Sequence, residues 1–176
     1  VKLGKDLSED IERMVKLREK FGNKFVIRID ANQGYTANQT IEFYQKTKHL
    51  NIELIEQPLP AKSVAEMRQL PQEIRTVIAA DESLITPKHA LELVMPPVAS
   101  GIFNIKLMKC GGVSQALKIA DIGQQVGIDL FWGCNDEGIV SRTAALHTAV
   151  ACANTKYLDL DGSLDLGRDE VKGGFI

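Results

Sequence analysis

The chain has 176 residues, 44% of them hydrophobic and 25% charged, with a formal net charge of −2. This is ordinary globular composition. The charge balance leaves no electrostatic footprint for nucleic acid, and no apolar run approaches the roughly 18 residues of a membrane span. The first residues, Val1-Lys2-Leu3-Gly4-Lys5, do not read as a signal peptide. Three widely spaced cysteines, Cys110, Cys134 and Cys152, form no ligand pair and point to a reducing cytoplasm.

Apolar runs recur along the chain, each ending in a polar or charged residue. The opening Val1-Lys2 reads as the end of a strand. Ser8 starts a helix with Ile11, Met14, Val15 and Phe21 on one face, closed by Gly22. Phe25–Ile29 stops at Asp30. Thr36 or Asn38 opens the next helix, with Ile41, Tyr44 and Leu50 inward. Ile52–Ile55 stops at Glu56, and Ser63-Val64-Ala65-Glu66 has the pattern of a capping box. Val77–Ala80 stops at Asp81, and Thr86-Pro87 is a cap with proline at the first helical position. Ile102–Ile105 stops at Lys106, Gly111-Gly112 makes a flexible turn or anion nest, and Ser114 opens a helix stopped by Gly127. Leu130-Phe131-Trp132 runs into Gly133-Cys134, Ser141 opens an alanine-rich helix to Ala153, and Tyr157-Leu158 stops at Asp159.

These strand ends are 25 to 28 residues apart, about the length of a parallel strand, a crossover helix and two turns. The runs lack polar alternation, as strands covered on both faces do. A doubly wound sheet is the alternative, but it would place its ligand at one switch point and usually carry a glycine-rich first turn, and no G-x-G-x-x-G occurs. Polar residues at nearly every strand end favour a β/α barrel, whose active site lies at that end. A full barrel takes about 250 residues. The expectation is therefore a single domain, 1–176, that is a partial TIM-type barrel missing at least one strand–helix unit at its start. As an isolated fragment it is expected to be inactive and poorly soluble, with exposed strand edges.

Asp30, Glu56 and Asp81 end three successive strands. Three carboxylates at one mouth repel one another unless a cation lies between them, and an all-oxygen set suits Mg²⁺, with Mn²⁺ as an alternative. Asn32 is either a plain turn residue or a hydrogen-bond partner of the metal's water or of a neighbouring ligand. Glu82 faces away from Asp81 and fits a supporting partner of the ligands. Lys106 lies in apolar surroundings and Lys2 ends the first strand. A lysine near a divalent cation can serve as a general base, though Lys2 alone also reads as a solvated terminal residue. Lys109 falls on the opposite side, as a loop residue. Asp159 and Asp161 alternate about Leu160 onto one side, either as a polar cap or as a pair suited to a substrate ammonium group. His49, His89 and His147 fall in helical segments away from the strand ends.

Ile29-Asp30-Ala31-Asn32-Gln33-Gly34-Tyr35, Ile55-Glu56-Gln57-Pro58, Ala80-Asp81-Glu82-Ser83 and Asn104-Ile105-Lys106-Leu107-Met108-Lys109-Cys110-Gly111-Gly112 resemble the enolase superfamily, in the subgroup of muconate lactonizing enzyme. Leu158-Asp159-Leu160-Asp161-Gly162 resembles its dipeptide epimerases. The resemblance implies that Asp30, Glu56 and Asp81 bind Mg²⁺, which holds the substrate carboxylate and stabilises an enediolate. Lys2 and Lys106 would exchange the α-proton on opposite faces. Asp159 and Asp161 would hold the dipeptide's ammonium group, with Cys134 in the substrate-binding stretch. The resemblance implies a partial TIM-type (β/α)7β barrel lacking its first strand–helix unit, and the family's capping domain would precede residue 1. Glu137 matches the family's usual acidic residue, while Asn135 and Asp136 favour polar or cationic side chains. Implied partners are a small-molecule dipeptide and a homo-oligomer, with no nucleic acid and no membrane. A cycloisomerase, an o-succinylbenzoate synthase/N-acylamino acid racemase and a non-catalytic fragment are the other readings. The first two substrates carry no ammonium group for the Asp159/Asp161 pair.

Overall fold

A computed structural model describes residues 1–169 and 171–174; the side chains of Ser163 and Asp165 are outside the description. The chain divides into two compact units, residues 1–83 with 95–101, and residues 84–94 with 102–176.

In the first unit, helix α1 (Leu7–Phe21) precedes strand β1 (Ile27–Asp30), followed by α2 (Ala37–Thr47), β2 (Ile52–Glu56), the short α3 (Val64–Gln69) and α4 (Gln72–Arg75), and β3 (Ile78–Ala80). The strands are parallel in the order β1-β2-β3, with Asp30 opposite Glu56 and Glu56 opposite Ala79. The segment reading as a strand end at Val1-Lys2 does pair: Lys2 bridges Asp30 in parallel, and Leu3 N–H donates to the Asp30 carbonyl at 2.8 Å. Met14 of α1, Ile29 of β1, Phe43 of α2 and Ile55 of β2 form the buried core between helices and sheet. The Tyr35 and Phe43 rings stack at 5.6 Å. Burying one such side chain stabilises the fold by roughly 1.5–3 kcal/mol.

In the second unit, α5 (Pro87–Val94) is followed by β4 (Ile102–Ile105), α6 (Leu107–Cys110), α7 (Val113–Gln125), β5 (Asp129–Trp132), α8 (Ile139–Ala151) and β6 (Thr155–Leu158). Again the strands are parallel and in chain order, with Ile105 opposite Trp132 and Trp132 opposite Leu158. All four residues of β4 are buried, as expected of a strand covered on both faces. Helix α7 approaches the sheet at Gly123, where an added Cβ would stand 3.2 Å from the Phe103 ring. Trp132 is fully buried and satisfies its indole N–H on Thr155 Oγ1 at 2.9 Å.

The strand–helix alternation matches the expectation, while several helix starts differ. Asp6, not Ser8, caps α1: it is extended and its carboxylate accepts from Glu9 N–H at 3.0 Å, adding a negative charge at the positive helix end. Thr36 caps α2, and Gln39 returns the bond in a full capping box. Ser63 does not close its box, because its hydroxyl donates to Glu66 Oε1 at 3.0 Å instead of accepting from the backbone. Gly112 and Gly138, rather than Ser114 and Ser141, precede α7 and α8, and α8 ends at Ala151. Ile139 N–H at the start of α8 donates to Asp169 Oδ2 at 2.6 Å, a cap supplied from thirty residues downstream. Lys109 lies in α6, not in a loop, and donates to the Asn104 carbonyl at 3.0 Å. No described helix is long and apolar enough to cross a membrane.

Candidate active site

In the first unit the parallel register sets Asp30 and Glu56 side by side, and Asp81 follows Ala79 by two residues. All three are buried, at 7%, 8% and 6% exposure, which is costly for carboxylates without a compensating charge. Asp30 Oδ1 accepts from Asn32 N–H at 2.8 Å, and its Oδ2 lies 2.5 Å from Lys2 Nζ. Asn32 is exposed, at φ +44°, so its main chain, not its amide, meets the Asp30 carboxylate. Glu82 Oε1 accepts from Gln33 Nε2 at 3.2 Å and from Asn32 Nδ2 at 3.4 Å. Burial first, and then the nearby charges of Asp81 and Asp30, push the Glu82 carboxyl above its ordinary range.

The three strand-end carboxylates are thus neighbours in register. Among the described residues, however, no three His, Cys, Asp or Glu side chains gather into a cluster ready to hold an ion. The donor chemistry nonetheless fits a hard divalent cation: all-oxygen, anionic, buried, and surrounded by further acidic charge at Glu82.

Two residues not singled out by the sequence reading organise this end. Gln57 is fully buried at φ +33°, a backbone conformation that costs a non-glycine residue about 1–3 kcal/mol. Its Oε1 accepts from Asp81 N–H (2.9 Å), Ser83 N–H (3.1 Å) and Ser83 Oγ (2.9 Å). Gln33 Oε1 accepts from Ala61 N–H at 2.9 Å while its amide nitrogen reaches Glu82, joining the loops after β1, β2 and β3. The signal available was Gln57's place in Glu56-Gln57-Pro58, between a ligand candidate and a proline.

In the second unit Lys106, Gly133 and Asp159 each follow a paired residue, so they stand level at the ends of β4, β5 and β6. Gly133 N–H donates to the Ile105 carbonyl at 3.1 Å and Asp159 N–H to the Trp132 carbonyl at 2.9 Å. Lys106 is half-buried, and a Cβ at Gly133 would stand 3.0 Å from Lys106 Cε, so the glycine makes room for the lysine stem. Cys134 Sγ accepts from Gly162 N–H at 3.2 Å and donates to the Asp159 carbonyl at 3.4 Å, with Asp161 Oδ1 at 4.0 Å. Burial, then the charges of Asp161, Glu137 and Asp159, push the Cys134 thiol up. Asp159 and Asp161 are exposed. Glu137 is buried and accepts from Asn135 N–H at 3.0 Å and from the Ser141 hydroxyl, which shapes the loop after Cys134.

A family model described as enolase C-terminal domain-like matches residues 1–175. The chain belongs to this family. Among curated members, an L-Lys-D/L-Arg epimerase of Desulforapulum autotrophicum is 53% identical over all of this chain and 49% of its own length. An L-Ala-D/L-Glu epimerase of Clostridium acetobutylicum is 39% identical over 99% of the chain and 49% of its own. Among solved structures of the enolase-like family, the dipeptide epimerase of Methylococcus capsulatus complexed with Mg and the dipeptide L-Arg-D-Lys superposes at a TM-score of 0.96. It is 52% identical, over the whole of this chain and 50% of that one. The chain therefore spans about half the length of the curated relatives it matches.

Proposed function

We propose that the chain carries the barrel half of a Mg²⁺-dependent dipeptide epimerase, acting on dipeptides with cationic side chains. The observation that carries the proposal is the run of buried carboxylates, Asp30, Glu56 and Asp81, at the ends of successive parallel strands. It occurs in a chain 53% identical to an L-Lys-D/L-Arg epimerase. Asp30, Glu56 and Asp81 would hold the cation, which when bound draws charge from a substrate carboxylate and so acidifies the α-carbon.

The chain's own residues supply the rest. Inversion at carbon needs one group to take the α-proton and a second to return one to the opposite face, and Lys2 and Lys106 are assigned these roles. Lys2 Nζ, in contact with Asp30, is held beside the carboxylates. Lys106 is held at the end of β4, where Gly133 makes room for its stem. Asp159 and Asp161 take the dipeptide's ammonium group, and Cys134 ties the backbone of Asp159 and Gly162 to the end of β5. Asn32 and Glu82 support the carboxylate end through Asp30 and Gln33. The polar Asn135-Asp136 stretch selects cationic side chains. Three free thiols suit a reducing cytoplasm.

The test is incubation of the polypeptide encoded by the gene with dipeptides in D₂O and Mg²⁺, read by mass spectrometry and NMR. Deuterium is expected at an α-carbon of Lys- and Arg-containing dipeptides, with accumulation of the epimer. Turnover of an N-acylamino acid with no label in any dipeptide rejects the epimerase reading in favour of the racemase of the same subgroup. Asp159→Asn is expected to raise KM for dipeptides with less effect on kcat.

A further inference from the structure

We infer that Gln57 is a positioning residue that fixes the Glu56 and Asp81 carboxylates relative to one another. The inference rests on the reading of Asp30, Glu56 and Asp81 as the metal set and goes beyond it to a residue that has no charge and is not a ligand.

The geometry is specific. Gln57 directly follows Glu56 at the end of β2, and its backbone N–H donates to the Ala79 carbonyl at 2.9 Å. Its side-chain oxygen collects three donors from the next strand's loop: Asp81 N–H, Ser83 N–H and Ser83 Oγ. Its side-chain nitrogen donates to the Leu59 carbonyl at 2.8 Å. The amide cannot be reversed, since the nitrogen would then face three donors and the oxygen a carbonyl. One buried amide therefore clamps the backbone on both sides of Asp81 to the residue after Glu56. The backbone at Gln57 is left-handed, a conformation glycine or asparagine adopts at less cost. A glutamine there is accounted for by its side-chain clamp, not by its turn. Because the Gln57 side chain is fully buried, its loss leaves donors without acceptors, and the loop must shift to satisfy them.

The experiment uses the encoded polypeptide carrying Gln57→Met, which keeps side-chain length and volume, and Gln57→Glu, which keeps an acceptor for the three donors. Three quantities are read: amide hydrogen exchange at Asp81 and Ser83, Mn²⁺ affinity by electron paramagnetic resonance, and the melting temperature. Gln57→Met is expected to speed exchange at Asp81 and Ser83 at least about ten-fold, with Leu130 unchanged. It is also expected to weaken Mn²⁺ binding by about 10- to 100-fold. Gln57→Glu is expected to restore the amide protection. A purely structural role predicts a lower melting temperature with unaltered Mn²⁺ affinity in the folded protein, and that result overturns the inference. So does unchanged exchange at Asp81 and Ser83. Wild-type protein that fails to bind Mn²⁺ rejects the metal reading above, and the exchange data then decide on their own whether Gln57 fixes the two strand ends. Should Gln57→Met not fold, Ser83→Ala removes one of the three donors. It is expected to weaken Mn²⁺ binding about three-fold, and no change counts against the clamp.

Discussion

Tyr35 illustrates how a single hydroxyl couples the loop after β1 to the rest of the first unit. It donates to Asp10 Oδ2 at 2.8 Å, and the same oxygen accepts from Gly4 N–H at 2.8 Å. Gly4 and Gly34 are in such close backbone contact that a Cβ on Gly34 would fall 2.0 Å from the Gly4 carbonyl oxygen. Burial, and then the bond to Asp10, push the Tyr35 phenol far above its ordinary range. The folded chain therefore keeps a proton that the unfolded chain releases near pH 10. The stabilisation is complete below pH 10 and is lost as pH rises beyond it. Tyr35→Phe is expected to cost about 1 kcal/mol at pH 7 and to flatten the alkaline decline. Urea midpoints at pH 7 and pH 11 check both. None of this was legible in the sequence, where Asp10 reads as one more acid in the first turn of a helix. The strand-end residues Asp30, Glu56, Asp81 and Lys106 were legible because each closes an apolar run. Gln57 was not, because its role lies in three bonds to residues 24 and 26 positions away.

At the scale of elements, strands were easier to read than helix starts, for a physical reason. A buried parallel strand advertises itself by composition, whereas a helix start depends on which nearby group reaches the free N–H groups first. At α2 the sequence held both halves of the box, Thr36 and Gln39, and the structure closes it. Thr36→Ala is expected to lower stability by about 1 kcal/mol with an unchanged denaturant slope. At α8 the capping oxygen comes from Asp169, so no local pattern could indicate it. Asp169→Ala is expected to cost a similar amount, about 1 kcal/mol, and to raise hydrogen exchange at Ile139. Ser141, which a local reading takes for the cap, serves instead to hold the Glu137 carboxylate.

For the molecule as a whole, the 25–28-residue repeat made the fold class legible, and with it the strand ends that carry the candidate site. Asp30, Glu56 and Asp81 fell into one compact unit with Lys2, and Lys106 into the other with Asp159 and Asp161, which spacing alone does not reveal. Metal should therefore act unevenly. Mn²⁺ is expected to broaden NMR resonances near residues 28–33, 54–59 and 79–83 first. Mg²⁺ at a hundred times its dissociation constant should add about 2.7 kcal/mol of stability, abolished by EDTA. A melting curve that ignores both cation and chelator would count against the metal set. The order of the strands also bears on how the chain is made. Each strand pairs with its sequence neighbour within its unit, and the first unit lies wholly within residues 1–101. On the ribosome, where domains form as they emerge, Asp30, Glu56, Asp81 and the Gln57 clamp can be in place before β5 and β6 of the second unit have emerged.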